Sequence, residues 1–174
     1  MQGAPNARGV ALASGEGSGS VSPAYFHGHA LVSVDAKNRL SVPASFREVI
    51  EARSGARVVL VAPHEREACL IGYDRARAAR LQELIERRFG DDFGPERDDF
   101  ARIAFGASEP AHWDDTGRIV LSPTMKELGE IGRQCVFLGA GDYFELWNPE
   151  RLLEAKGQDR RIAHIVRRLL EARA

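Results

Sequence analysis

Asp35 to Pro43 reads DAKNRLSVP, and Asp114 to Pro123 reads DDTGRIVLSP. Each phrase sets an Asp four residues before an Arg and then alternates apolar and polar residues up to a proline. Leu31, Val32, Ser33 and Val34 lead into Asp35, and beyond the turn Leu40 and Val42 face one way while Arg39 and Ser41 face the other. That is the period of strand, turn and strand, with Ala36, Lys37 and Asn38 as the turn and Pro43 as the end of the second strand. Phe46, Val49 and Ile50 then recur at helical spacing up to Gly55. Two further strands are predicted at 57–62 (RVVLVA) and 68–73 (ACLIGY), joined by PHERE. Asp74 follows as the N-cap of a helix with an apolar stripe of Leu81, Leu84, Ile85 and Phe89, stopped by Gly90.

The second half repeats this order. Ile119 and Leu121 alternate after the DDTGR turn, PTMKELGEIG forms a short helix ending in glycines, and QCVFLG and YFELW are strands joined by AGD. Asn148, with Pro149 at the first helical position, caps ERLLEA as Asp74 caps its counterpart. A single recurrence at this long offset argues for one duplication rather than a solenoid array. Five segments result: a disordered tail at 1–24, a first repeat at 25–90, an acidic, turn-rich connector at 91–104, a second repeat at 105–156, and an amphipathic C-terminal helix at 157–174. The tail is dominated by Gly, Ser, Ala and Pro and has no apolar period with which to offset its ordering entropy.

Composition narrows the function. The chain has 174 residues, 44% hydrophobic and 28% charged, enough for a buried core. Nothing approaches the roughly 20 apolar residues that span a bilayer, and the start lacks the charged and apolar regions of a signal peptide, so the expected location is the cytoplasm, away from any membrane. Cys69 and Cys135 stand far apart with no ligand at metal spacing, which favours reduced, buried thiols over a disulfide or a zinc site. Lys and Arg number 24 against 25 Asp and Glu, a net charge of -1. Bulk charge therefore attracts no nucleic acid, and any such binding rests on local patches.

An Asp that ends one strand and an Arg that opens the next lie close across the turn, where carboxylate and guanidinium can pair and hold the loop. An exposed pair contributes only ~0 to 1 kcal/mol, a weak reason to build it twice. The second reading is that the ordered loop presents its Arg and the neighbouring Lys37 to a phosphate or a guanine edge, both of which suit a bidentate guanidinium.

The stretch YFHGHALVSVDAKNRLSVPASFRE resembles the opening of the MraZ family of bacterial transcriptional regulators, within the AbrB/SpoVT-like superfamily. WDDTGRIVLSP followed by CVFLGAGDYFELWNPERLLE looks like that family's second half, so the resemblance covers about residues 25 to 156. It implies a mainly β fold with helices: a swapped-hairpin, or double-split, β-barrel built from two tandem AbrB-like repeats and capped by α-helices. It also implies self-association into a ring and binding of double-stranded DNA at direct repeats upstream of the protein's own operon, in the division and cell-wall gene cluster, on the nucleoid. The family motif transfers onto Asp35 and Arg39 and onto Asp114 and Arg118. Lys37, Arg39 and Arg118 are the expected DNA contacts, and Asp35 and Asp114 the residues that order the loops. Asn38 stands where the family usually has Gly, and Ser122 where the second motif usually has Pro. Asn tolerates positive φ, so the first turn should form unchanged.

Other residues read as structural. His27 and His29 alternate on one strand face without a third metal ligand, and Asp114 with Asp115 lacks the apolar pocket of a catalytic carboxylate pair. Trp113 and Trp147 are expected in the core or at a subunit interface. The last helix carries Ile162, Ile165, Val166, Leu169 and Leu170 on one side and Arg160, Arg161, Arg167 and Arg168 elsewhere, as for packing on the barrel or a neighbour. No nucleophile, phosphate-loop or metal motif is present, so neither catalysis nor a cofactor is expected. The alternative to a DNA-binding regulator is an antitoxin-like AbrB relative that acts mainly through a protein partner; such chains usually carry one repeat per subunit and a long tail.

Overall fold

The structure, a computed structural model, describes residues 24–156 and 159–173. The tail expected at 1–24 lies outside these residues except for Ala24.

Both halves run strand, strand, helix, strand, strand, helix. In the first half these are β1 His29–Ser33, β2 Arg39–Ser41, α1 Ala44–Ser54, β3 Val58–Pro63, β4 Leu70–Tyr73 and α2 Arg75–Ala78. Asp74 caps α2 by accepting from the Arg77 amide at 2.8 Å. The single helix expected after Asp74 is broken at Ala79 and Arg80, and α3 Leu81–Phe89 starts anew. The break falls where the side chains of Arg77 and Arg80 are both anchored on Asp142. The connector expected at 91–104 is helical, forming α4 Pro95–Ala101 and a π-helical turn at Arg102–Gly106. Its acidic residues Glu96 and Asp98 sit in the first turn of α4, where they suit the helix dipole.

The second half supplies β5 Glu109–His112, β6 Arg118–Val120, α5 Pro123–Leu128, β7 Gln134–Gly139, β8 Phe144–Trp147 and α6 Pro149–Lys156, followed by α7 Arg160–Glu171. Ser122 lies beyond the strand: its hydroxyl accepts from the Met125 amide at 3.1 Å and caps α5, while Pro123 takes the first turn.

The strands form an antiparallel six-stranded sheet, β1-β7-β8-β4-β3-β5, and a separate antiparallel ribbon, β2-β6. Only the hairpins β3–β4 and β7–β8 pair within a half. β1 pairs with β7, β5 with β3, β4 with β8 and β2 with β6, so every other pairing crosses between the halves. The hydrogen bonding does not close into the expected barrel. β1 and β5 remain the edges of the large sheet, because the chain reverses at Asp35 and at Asp114 and carries its next strand into the ribbon.

The core lies between ribbon and sheet. Leu40 and Ile119 face inward, directly opposite each other, onto Phe46, Leu121, Met125, Phe137 and Phe144. Four phenylalanines meet at its centre, with Phe144 5.0 Å from both Phe26 and Phe46 and 5.6 Å from Phe137, in tilted or edge geometry. Trp113 and Trp147 are both buried. The other sheet face is covered by α6 and α7, with Leu152, Ile162, Val166 and Leu169 packing on Leu31, Val136 and Trp147. Cys69 and Cys135 are buried free thiols, and desolvation pushes both pKa values up, which keeps them protonated.

An ion cluster built on the buried pair Arg53 and Asp74 and the half-buried Asp142 ties α1, α2 and the β7–β8 turn together. Arg53 lies 2.8 Å from Asp74 and 2.6 Å from Asp142 Oδ1, Arg80 shares that oxygen at 3.2 Å, and Arg77 pairs with Oδ2. Burial raises the pKa of Asp142, but the hydrogen bonds from Arg53 and Arg77 outweigh it and hold the carboxyl below its ordinary value.

Gly72 faces Phe144 across the β4–β8 seam, and a Cβ there would lie 2.3 Å from the ring. Gly72→Ala is therefore expected to destabilise the protein by about 1 to 3 kcal/mol, the usual range for overpacking. Urea unfolding checks it: the midpoint falls, and an unchanged midpoint would mean that the ring can move aside freely.

Candidate nucleic-acid interface

The two Asp-x-x-x-Arg phrases form two loops of one design. In the first, Asp35 Oδ1 accepts from the amides of Lys37 at 2.8 Å and Arg39 at 2.9 Å, and Oδ2 accepts from Arg39 Nε at 2.7 Å. In the second, Asp114 Oδ1 accepts from the Thr116 amide at 2.9 Å, the Thr116 hydroxyl at 2.6 Å and the Arg118 amide at 3.0 Å. Its Oδ2 accepts from Arg118 Nε at 3.0 Å and Nη2 at 2.9 Å. In each loop the Asp amide also donates to the Arg carbonyl, at 3.0 and 2.9 Å. The carboxylate thus takes up the turn's amides and at the same time aims its arginine.

Each turn needs a residue in left-handed conformation just before the Arg. Asn38 has φ 58° and Gly117 φ 78°, so the Asn takes up the glycine conformation as expected. Both carboxyls ionise more readily than a free Asp side chain. The pKa of Asp35 is lowered, first by the Arg39 amide, and that of Asp114 is lowered, first by the Thr116 hydroxyl.

The ribbon sets the loops relative to each other. Its register pairs Arg39 with Val120, Leu40 with Ile119 and Ser41 with Arg118. Since Leu40 and Ile119 point into the core, Arg39, Ser41, Arg118 and Val120 share the outward face, with one Arg at each end. Val120 is 55% exposed.

Two cations that the motif alone does not name touch the loops. Lys126 on α5 reaches the first loop and donates from Nζ to Asn38 Oδ1 at 2.8 Å. Arg47 on α1 lies over the second loop, its Cζ 2.6 Å from where a Cβ of Gly117 would be, and its Nε donates to the Val42 carbonyl at 3.2 Å. The offset that superposes Asp35 on Asp114 also superposes Arg47 on Lys126, so the signal was in the sequence. The loops differ in charge. The first phrase carries Lys37 and Arg39 beside one carboxylate, Asp35, whereas the second carries Arg118 beside two, Asp114 and Asp115. Asp115 is fully exposed, 3.8 Å from Arg57, as a turn residue rather than half of a catalytic pair.

The remaining candidates lie apart from this face. His27 and His29 are exposed, and among the described residues no group of three or more His, Cys, Asp or Glu is placed to hold a metal. A cleft of about 190 Å³ between β3–β4 and the helices α3 and α4 is lined by Ile71, Tyr73, Leu81, Phe100 and Tyr143, and no residue of the two Asp-to-Arg loops borders it. Among the described residues no helix is long and apolar enough to cross a membrane.

Fold and loops together define a duplicated, strand-exchanged β protein that presents two arginine-bearing loops on one ribbon. No family model matches the chain. Individual relatives do: transcriptional regulator MraZ of Gluconacetobacter diazotrophicus is 32% identical over 136 residues, 75% of this chain and 85% of the relative. Those of Rhodospirillum rubrum and Xanthobacter autotrophicus are 35% identical over 127 residues and 36% over 119, covering 72% and 68% of this chain and 80% and 74% of the relatives. The chain belongs to the MraZ family of transcriptional regulators.

The lowered carboxyl pKa values fix a pH dependence. A depressed pKa adds stability that is present above the unfolded value and is lost as pH falls through the folded one. The amide resonances of Arg39 and Arg118 should therefore titrate with midpoints below pH 3.8, the ordinary Asp value. A midpoint at or above pH 3.8 would show that the carboxylates do not hold these loops.

Proposed function

We propose that the chain is a sequence-specific, DNA-binding regulator of the division and cell-wall gene cluster. In this reading Lys37, Arg39 and Arg118 contact direct repeats of double-stranded DNA upstream of its own operon, on the nucleoid in the cytoplasm. One observation carries the reading: two carboxylate-ordered arginines stand on the same solvent-facing side of a two-stranded antiparallel ribbon. Such a ribbon has the width to enter a major groove, and a guanidinium held by its own carboxylate keeps free N–H groups for a guanine edge or a phosphate. Asp35 and Asp114 act as the residues that preorganise the loops, so less ordering entropy is lost on binding.

The exchange of strands between the halves supports placing both, 25–90 and 105–156, as repeats of the AbrB/SpoVT-like, swapped-hairpin type, joined by 91–104 and followed by the helix at 157–174. A subunit of net charge -1 gains little from bulk attraction. Identical subunits assembled into a ring would present the loops in series, and linked weak contacts gain ~10² to 10⁴ in avidity when their spacing matches the DNA. Repeated DNA then suits repeated protein.

Arg39→Ala should weaken binding to a duplex from the upstream region by roughly 1 to 3 kcal/mol per engaged loop, with thermal stability nearly unchanged. Arg118→Ala should cost less, because Thr116 stands in its loop where the first loop has Lys37. Asp35→Ala should weaken binding and loosen the hairpin together. Binding across a salt series beside thermal melts checks all three, and arginine variants that bind normally but melt several degrees lower would reduce the motif to a fold staple. Light scattering at micromolar concentration tests the assembly: a closed ring is expected, and a monomer counts against both ring and avidity.

A further inference from the structure

Asn38 is tied to the second half twice. Its carbonyl accepts from the Leu121 amide at 3.0 Å, and its side-chain Oδ1 accepts from Lys126 Nζ at 2.8 Å. The second loop repeats only the first of these ties, Gly117 O accepting from Val42 N at 2.9 Å. Where the second tie would be, the Arg47 guanidinium fills the space that any Cβ at Gly117 would need. The two loops therefore solve one problem with different residue pairs. A cation from the other half's helix braces each turn: Arg47 packs on a glycine, and Lys126 hydrogen-bonds an asparagine that adopts the glycine conformation.

We propose that Lys126 is a positioning residue of the first loop. Through Asn38 it fixes the tip that carries Lys37 and Arg39, so that the DNA-reading geometry of the first half is set by a helix of the second. The inference rests on the reading of these loops as the DNA contacts. Lys126 is half-buried in a shallow depression bordered by Asn38, Pro123, Glu127, Glu130 and Ile131, and Glu130 is engaged by Arg151 at 2.5 Å. An ammonium group has three donors, and the one spent on Asn38 is directional enough to hold an amide side chain that would otherwise rotate freely.

The test uses the full chain, a duplex from the DNA immediately upstream of its gene, and the variants Lys126→Met, Lys126→Arg, Asn38→Gly and Lys126→Met/Asn38→Gly, with Arg39→Ala as reference. Lys126→Met should weaken binding about three- to tenfold, the equivalent of one exposed charge-assisted hydrogen bond. Lys126→Arg should restore most of that loss. Asn38→Gly should cost a similar factor, and the double variant no more than either single one, since both remove the same tie. Without DNA, amide exchange at Lys37 to Arg39 should quicken in Lys126→Met while the melting temperature barely moves. Unchanged exchange and affinity in Lys126→Met would overturn the proposal. So would a loss that persists in the Asn38→Gly background with a salt slope lower by about one, because that is the signature of a direct phosphate contact. If Arg39→Ala binds normally, the DNA reading itself fails and the proposal with it; if only the Lys126 variants bind normally, the reading stands and the brace is wrong.

Discussion

Leu40 and Ile119 sit opposite each other in the ribbon and are almost wholly buried, and the placement of both loops depends on that pair. Three residues per strand make a ribbon too short to be stable in water, so the ribbon exists because its inner face is seated on the aromatic core. Seating it fixes the alternation. With Leu40 and Ile119 inward, Arg39 and Arg118 are forced outward, and a slip of one residue would exchange the two sets. The loops are held locally by their carboxylates, but their common orientation is a property of the core.

The core in turn depends on the exchange of strands. Each half donates a hairpin, β3–β4 or β7–β8, and each needs the other's first strand to complete the edge: β1 lies on β7 and β5 on β3. Gly72 lets β4 approach β8 closely enough for the Phe144 ring to lie over it. The Arg53, Asp74, Arg77 and Asp142 cluster works across the same divide, since α1 and α2 come from the first half and Asp142 from the turn of the second. Removing Asp142 would leave the buried Arg53 with Asp74 alone and Arg77 without its carboxylate, which ties the halves together more firmly than a fully exposed pair would.

The local grammar was legible. The alternation around Leu40 and Ile119, the Asp74 cap and the Pro149 start all lie where the sequence puts them, because each depends on neighbours a few residues away. Both Asp-to-Arg ties were legible for the same reason. Partner choice was not, since the residues of β1 say that they form a strand but not that the strand lies on β7. Openness of the sheet was missed likewise: it follows from where the reversals at Asp35 and Asp114 send the chain. The helicity of 91–104 was hidden by its turn-rich composition, although Pro95 at the first turn with Glu96 and Asp98 behind it is a helix-start signal. Arg47 and Lys126 lie outside the quoted motif, and reading the offset a few residues further would have found them.

Strand exchange also governs when the chain can fold. β1 leaves the ribosome before its partner β7, which ends at Gly139, so the first half waits through most of synthesis with unsatisfied strand edges. Contacts this distant in sequence must close a long loop before they repay its entropy, which slows folding and leaves apolar strands exposed meanwhile. The hairpin β3–β4 and helix α1 can form in that interval because they are local. A chain arrested between β4 and β5 would present β1 and β2 without their partners β7 and β6, a template for joining another nascent copy, so duplication within one chain keeps the missing partners tethered and close at hand.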